Sequence, residues 1–267
     1  MKKILSIILT VLMVSTLLVA CGKKKSEGNA LQNVKNSGKL TIGLDDSYPP
    51  MEFRDSKNNL VGFDIDLGKE IAKKLGVKAE FITSDFNGIL LALNASKFNV
   101  IISGLSITDK RKETIDFSKP YIMGGQVIAV RSEETSIKSF KDLKGKVLAC
   151  QLGSTGDKAA SEIKELKEVK KYDKITEAFH ELSSKRVDAV IMDAQVGGYY
   201  TTKSPGEYKI LDGMVSKEPM GIGFKKNDKE LKDAIQKAID ELKQEGTLSK
   251  LSIKWFGFDA YAKNMEN

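Results

Sequence analysis

Short apolar runs alternate along this chain with stretches in which apolar positions recur every three or four residues. That alternation of strand and helix patterns builds an α/β protein. The run 40–44 reads as a strand, and Tyr48-Pro49-Pro50 then forces an extended loop. A helix is predicted over 63–75, with Leu67, Ile71 and Leu75 on one face and Gly76 as its stop. Strands follow at 77–83 and 99–103, with a helix at 87–93 between them and a helical turn opening at Thr108. The second half repeats the style. A strand over 146–150 leads through Gly153-Ser154-Thr155-Gly156 into an amphipathic helix to residue 166. Strands at 168–172 and 187–192 flank a helix at 175–183, and short strands follow at 208–211 and 221–225. The helix predicted over 228–245 carries an apolar stripe of Leu231, Ile235, Ala238, Ile239 and Leu242, and a last helix covers 248–255.

The first residues break this pattern. Lys2 and Lys3 precede an apolar stretch, 4–18, interrupted only by Ser6, Thr10, Ser15 and Thr16. Its length suits a secretory leader and is short for a bilayer span. It ends in Leu18-Val19-Ala20-Cys21, which resembles the bacterial lipobox, where the Cys is diacylated and becomes the new N-terminus. An ordinary signal peptide with a chance Cys, or an uncleaved anchor, is the alternative. Residues 22–30, GKKKSEGNA, read as a polar tether; Lys23, Lys24 and Lys25 either attract anionic headgroups or are simply solvated.

Composition narrows the function classes. The formal charge of +7 is carried mostly by Lys interleaved with Asp and Glu, and two of the seven leave with the leader. Arg occurs only at Arg54, Arg111, Arg131 and Arg186, with no basic and aromatic interleaving, so nucleic acid is not an expected partner. Cys150 lies in an apolar run and reads as a buried strand thiol, with Cys21 assigned to lipid. No Cys/His spacing implies a metal, and no cofactor motif is present. The expected organisation is a leader (1–20), a tether (21–38), a first lobe (39–123), a second lobe (124–219) and a return to the first (220–267). Crossings are expected near 121–127 and 217–221, where Gly124, Gly125 and Gly221 suit either a hinge or ordinary turns.

Six blocks carry a family resemblance: LTIGLDDSYPPMEF (40–53), LVGFDIDL (60–67), ISGLSITDKRK (102–112), FSKPY (117–121), QLGSTG (151–156) and RVDAVIMD (186–193). In this order and spacing they resemble the polar amino-acid-binding lipoproteins of ABC importers, the bacterial extracellular solute-binding proteins of family 3. The resemblance implies a two-lobed α/β fold of the periplasmic-binding-protein-like type II, with central mixed sheets flanked by helices and a hinge of two crossing strands. It also implies a monomer on the extracellular face of the bacterial membrane. Such a protein captures a free amino acid, hands it to a cognate permease, and needs no cofactor, metal or catalytic residue.

An amino acid presents a carboxylate and an ammonium, each costly to bury without a countercharge. Arg111 offers a planar fork that matches a carboxylate, in a chain that otherwise uses Lys, and the family uses the matching Arg that way. Ser106 and Thr155 can donate to the same carboxylate. Ser154 either joins them or is a plain helix cap, with Gly156 beside it at a helix start. The resemblance pairs Asp193 with the α-ammonium; capping the helix that starts at Ala194 is the rival role. A carbonyl of Ser103 or Gly104 is a second ammonium acceptor. Side-chain selection is expected from Asp45, Tyr48, Phe86 and Gln151, with Gln126 as a further candidate. Asp45 favours a polar or cationic ligand, while Gln151 departs from the apolar stacking residue of some basic-amino-acid binders. Two other readings of the fold are kept: a cyclohexadienyl dehydratase-like enzyme, for which Glu52 is the one acid near the cleft, and a ligand-sensing domain. His180 reads as a surface or interface residue.

Overall fold

A computed structural model describes residues 29–262. The leader, Cys21 and the first part of the tether lie outside these residues. The described chain builds two five-stranded mixed sheets. In the first, Lys78–Thr83, Lys39–Leu44 and Val100–Ile101 run parallel, and Gly223–Lys225 and Ile115–Phe117 complete it antiparallel. The second repeats this order: Glu168–Tyr172, Val147–Gln151 and Ala189–Asp193 parallel, then Gln126–Arg131 and Tyr208–Ile210 antiparallel.

The inner strands of both sheets are covered on both faces, which is why Gln126–Arg131, Val147–Gln151 and Ala189–Asp193 are near-continuous apolar runs. Val100 and Ile102 pack with Phe63, Leu67 and Ile71 on one side, while Ile101 packs with Ile89, Leu93 and Phe98 on the other. In the second sheet Ala149 and Val190 meet Phe179 and Leu182, whereas Leu148 and Cys150 meet Ile128 and Ile191. Cys150 is a buried free thiol, and burial pushes its pKa up to about 12.

Between the sheets, Ile122–Gly124 pairs antiparallel with Glu218–Met220. Close approach fixes the glycines here. A Cβ on Gly125, whose φ is +151°, would lie 2.1 Å from the Ser216 carbonyl oxygen, and one on Gly124 would lie 2.6 Å from Met220 Cε.

Several elements differ from expectation. Ala30–Ser37, inside the segment read as tether, is a helix capped by the Asn29 side chain and ended by Gly38 at φ +66°. It packs Val34 into the core beside the Lys229–Gln244 helix. The loop after Asp46 holds a three-stranded meander, Ser47–Tyr48, Glu52–Arg54 and Leu60–Val61. The helix after Gly153 stops at Glu162, because Ile163 is extended and Glu165 takes a positive φ. The strand expected over 99–103 is only Val100–Ile101; beyond it the chain bends through Gly104 at φ +50°.

Candidate functional site

The parallel strands of both sheets end at one shared crevice, the position where ligands sit in open α/β sheets. Asp45 follows Lys39–Leu44 and Ser103 follows Val100–Ile101; Gln151 and Asp193 end their own strands opposite. Side chains meet across the gap. Tyr48 Oη donates to Asp193 Oδ2 at 2.6 Å, and Gln151 Nε2 donates to Asp45 Oδ2. Arg111 Nη2 donates to the Gly153 carbonyl at 3.3 Å, and the Ser106 and Thr155 hydroxyls stand 3.4 Å apart. Lys174 and Asp46 form an ion pair at 3.5 Å on the rim. Side chains of the two halves therefore meet across the crevice.

Arg111 lies in a short helix, Asp109–Lys112, capped by Thr108, whose Oγ1 accepts from Arg111 N at 3.2 Å. Its Nη1 donates to the Ser106 carbonyl at 2.8 Å, and its guanidinium carbon sits 5.4 Å from the Phe86 ring centre. Burial lowers its pKa, and the charges of Asp193 and Glu218 act against that shift.

Asp193 is 4% exposed and does not cap the helix that follows it. Its two oxygens instead accept from Tyr48 and, at 2.9 Å, from Gln126 Nε2. Burial raises its pKa to about 7; the Tyr48 hydrogen bond and Arg111 oppose the rise, and Glu218 adds to it. Asp45 is also buried, with Oδ1 accepting from Ser47 N at 3.0 Å and Ser47 Oγ at 2.7 Å, and burial again raises it. Gln126 Nε2 reaches Thr155 Oγ1 at 3.1 Å as well, so this residue joins the acid to the start of the Thr155–Glu162 helix.

Two hydroxyls beside the expected ligand are committed to the framework: that of Ser103, of which only the carbonyl is expected to meet the ligand, and that of Ser154, where the capping alternative is the one seen. Ser103 Oγ donates to Glu52 Oε1 at 2.8 Å and accepts from Asp45 N at 3.0 Å. Ser154 is the plain cap: its Oγ accepts from Asp157 N at 3.0 Å and donates to the Gln151 carbonyl at 2.7 Å. Gly104 directs its N–H to Asp64 Oδ2 at 2.7 Å, leaving its carbonyl as its remaining polar group.

Beneath Ser103 and Gly104 lies a pair that sequence reasoning read only in part. Glu52 and Asp64 are both fully buried, and Tyr121 Oη donates to Asp64 at 2.9 Å. Glu52 Oε2 and Asp64 Oδ1 have no other partner among the described residues. Burial raises both carboxyls; the charge of Asp64 raises Glu52 further, whereas a hydrogen bond with Glu52 lowers Asp64, so the pair holds a proton between them with Glu52 as its favoured site. Glu218 was missed altogether; its place in the 217–221 crossing was the only available signal. His180 is exposed on its helix, away from the crevice.

A model of the bacterial extracellular solute-binding proteins, family 3, matches residues 40–258. The chain belongs to this family. Among family 3 relatives it is 31% identical over 238 residues to the L-cystine-binding protein TcyJ of Escherichia coli (strain K12), covering 89% of this chain and 90% of that one. It is 34% identical over 260 residues to the arginine-binding extracellular protein ArtP of Bacillus subtilis (strain 168), covering 96% and 98%. The crystal structure of the ancestral amino acid-binding protein AncCDT-1, a precursor of cyclohexadienyl dehydratase, superposes with a TM-score of 0.81 at 38% identity, covering 85% of this chain and 99% of the other. This family 3 fold is thus shared by solute-binding proteins and by a precursor of an enzyme.

Proposed function

We propose that this chain is the substrate-binding component of an ABC importer for a polar amino acid, and that it binds without turning its ligand over. The observation that carries this reading is the convergence of a guanidinium from one half, Arg111, and a carboxylate from the other, Asp193, on one buried crevice bridged by Tyr48. A zwitterion needs those two charges at its opposite ends. Its carboxylate takes Arg111 with the hydroxyls of Ser106 and Thr155, and its ammonium takes Asp193 and the Gly104 carbonyl. Tyr48 and Phe86 wall the aliphatic part, and a distal donor replaces Gln151 on Asp45. Relatives that bind cystine and arginine support the amino-acid class.

The mechanism is population shift: the ligand touches both halves only when they are closed, so it populates the closed form, which the permease then engages. The lobes are assigned to 39–123 with 220–267, and to 124–219. The protein is held at the outer membrane face through acylated Cys21 and acts as a monomer. Against the enzyme reading, Glu52 is spent on Ser103 and the shared proton, so it is held as a structural acid. Calorimetry with the common amino acids and cystine tests the reading: one of them binds the wild type, and Arg111→Ala removes that binding while leaving the circular-dichroism spectrum intact. Near-wild-type affinity in that variant would sink it. Mass spectrometry of the membrane fraction reads the acylation, which Cys21→Ser abolishes.

A further inference from the structure

We propose that Glu218, on the returning crossing strand, is a specificity-determining residue. With Asp193 it forms an acidic wall that keeps the empty crevice open until a cationic group of the ligand neutralises it. This rests on the reading of Asp193 as the partner of the ligand's ammonium.

Glu218 pairs antiparallel with Gly124, and a Cβ on Gly124 would lie 3.5 Å from Asp193 Oδ1. The two acids are therefore carried on adjoining segments. They are also joined by a chain of hydrogen bonds: Ser216 Oγ donates to Glu218 Oε1 at 2.6 Å, Gln126 N donates to Ser216 Oγ at 3.3 Å, and Gln126 Nε2 donates to Asp193. The charge of Glu218 acts on Asp193 and on Arg111 alike, as expected of a carboxylate directed toward the space they share.

That space is short of donors. Glu218 Oε2 is a buried acceptor with no partner among the described residues. Arg111 does not serve it: its two hydrogen bonds run to the Ser106 and Gly153 carbonyls, and its remaining N–H donors are assigned to the ligand's carboxylate. An ammonium brings three donors and one positive charge: it can serve Asp193, the Gly104 carbonyl and Glu218 Oε2, and it offsets one of the two carboxylates. Closing without it moves two carboxylates out of water against a single guanidinium, and dehydrated charge without a partner is strongly disfavoured. A carboxylic acid of the ligand's shape but lacking the amino group would satisfy Arg111 and leave the wall unneutralised, so it is rejected.

Small-angle X-ray scattering of the ligand-free protein tests this. Wild type is expected to be predominantly open, and Glu218→Gln, which keeps the acceptor for Ser216, to raise the closed fraction about tenfold. Asp193→Asn, neutralising the other acid, shifts the ensemble the same way. A wild type already closed without ligand, or variants whose scattering matches wild type, overturns the proposal. The comparison uses no amino acid. Failure of every amino acid to bind in calorimetry would therefore count against the transport reading, while the scattering still decides the role of Glu218.

Discussion

The two sheets are close copies in strand order and direction, yet their third parallel strands lead to opposite charges at the crevice. In the second, the third parallel strand runs its full length and ends in Asp193. In the first, the third strand is Val100–Ile101 only, and the chain turns away through Gly104 to reach Arg111 by a short helix. The early exit has a cost that the second sheet does not bear: the irregular turn exposes backbone N–H groups to the interior, and the buried acids Glu52 and Asp64 hold it from below. Topology sets where the two charged groups arrive, and the length of one strand sets which sign arrives there.

The largest effect is expected where this asymmetry is removed outright. Arg111→Ala should weaken amino-acid binding by at least about 100-fold in calorimetry, since a buried carboxylate loses its countercharge. If the second sheet's acid alone sufficed, affinity would hardly move. Disturbing the support under the turn should cost less. Glu52→Gln keeps the shape but cannot share a proton in the same way, and is expected to lower affinity about tenfold and reduce the melting temperature.

The acids also predict how stability changes with pH. Asp193, raised to about 7 by burial, binds its proton more tightly in the folded protein than in the unfolded chain, and Glu52 and Asp64 shift in the same direction. A raised carboxyl destabilises the fold above its folded pKa, and the penalty fades as pH falls toward the ordinary carboxylate range. The ligand-free protein should therefore melt about 3 °C or more higher at pH 5.5 than at pH 8 by calorimetric scan, and Asp193→Asn should flatten that slope. Carboxylates held low by hydrogen bonds or ion pairs, such as Asp142 and Glu181, withdraw stability only at more acidic pH. The smallest effect belongs to the one hydroxyl spanning both halves at Asp193. Tyr48→Phe should lower affinity severalfold without changing the fold, as read by titration and circular dichroism.

What could be read in advance follows from how local each signal is. The strands and the helices at Phe63–Lys74 and Lys229–Gln244 announce themselves through apolar period. Arg111 and Asp193 stood out because an uncommon residue type and a strand end are visible in one dimension. Ser154 stayed open between ligand and cap, and the Ser103 hydroxyl had no reading of its own: a hydroxyl's direction depends on neighbours such as Glu52, 51 residues away. The Ala30–Ser37 helix is short and mostly polar, with Val34 its one buried residue, so its placement depends on the distant Lys229–Gln244 helix. Glu218 sits in a three-residue crossing strand too short to have any period.

The chain has a single tryptophan, Trp255, and its surroundings have a practical consequence. Its indole N–H donates to Asp66 at 2.9 Å, and the Phe53 ring meets it edge-on at 6.0 Å. Phe53 in turn lies 5.5 Å from Tyr199, which belongs to the opposite half. The lone indole is thus built into the seam itself, and parting the halves would alter its solvation and its emission. Capture of an amino acid should be visible in native fluorescence, with no dye attached.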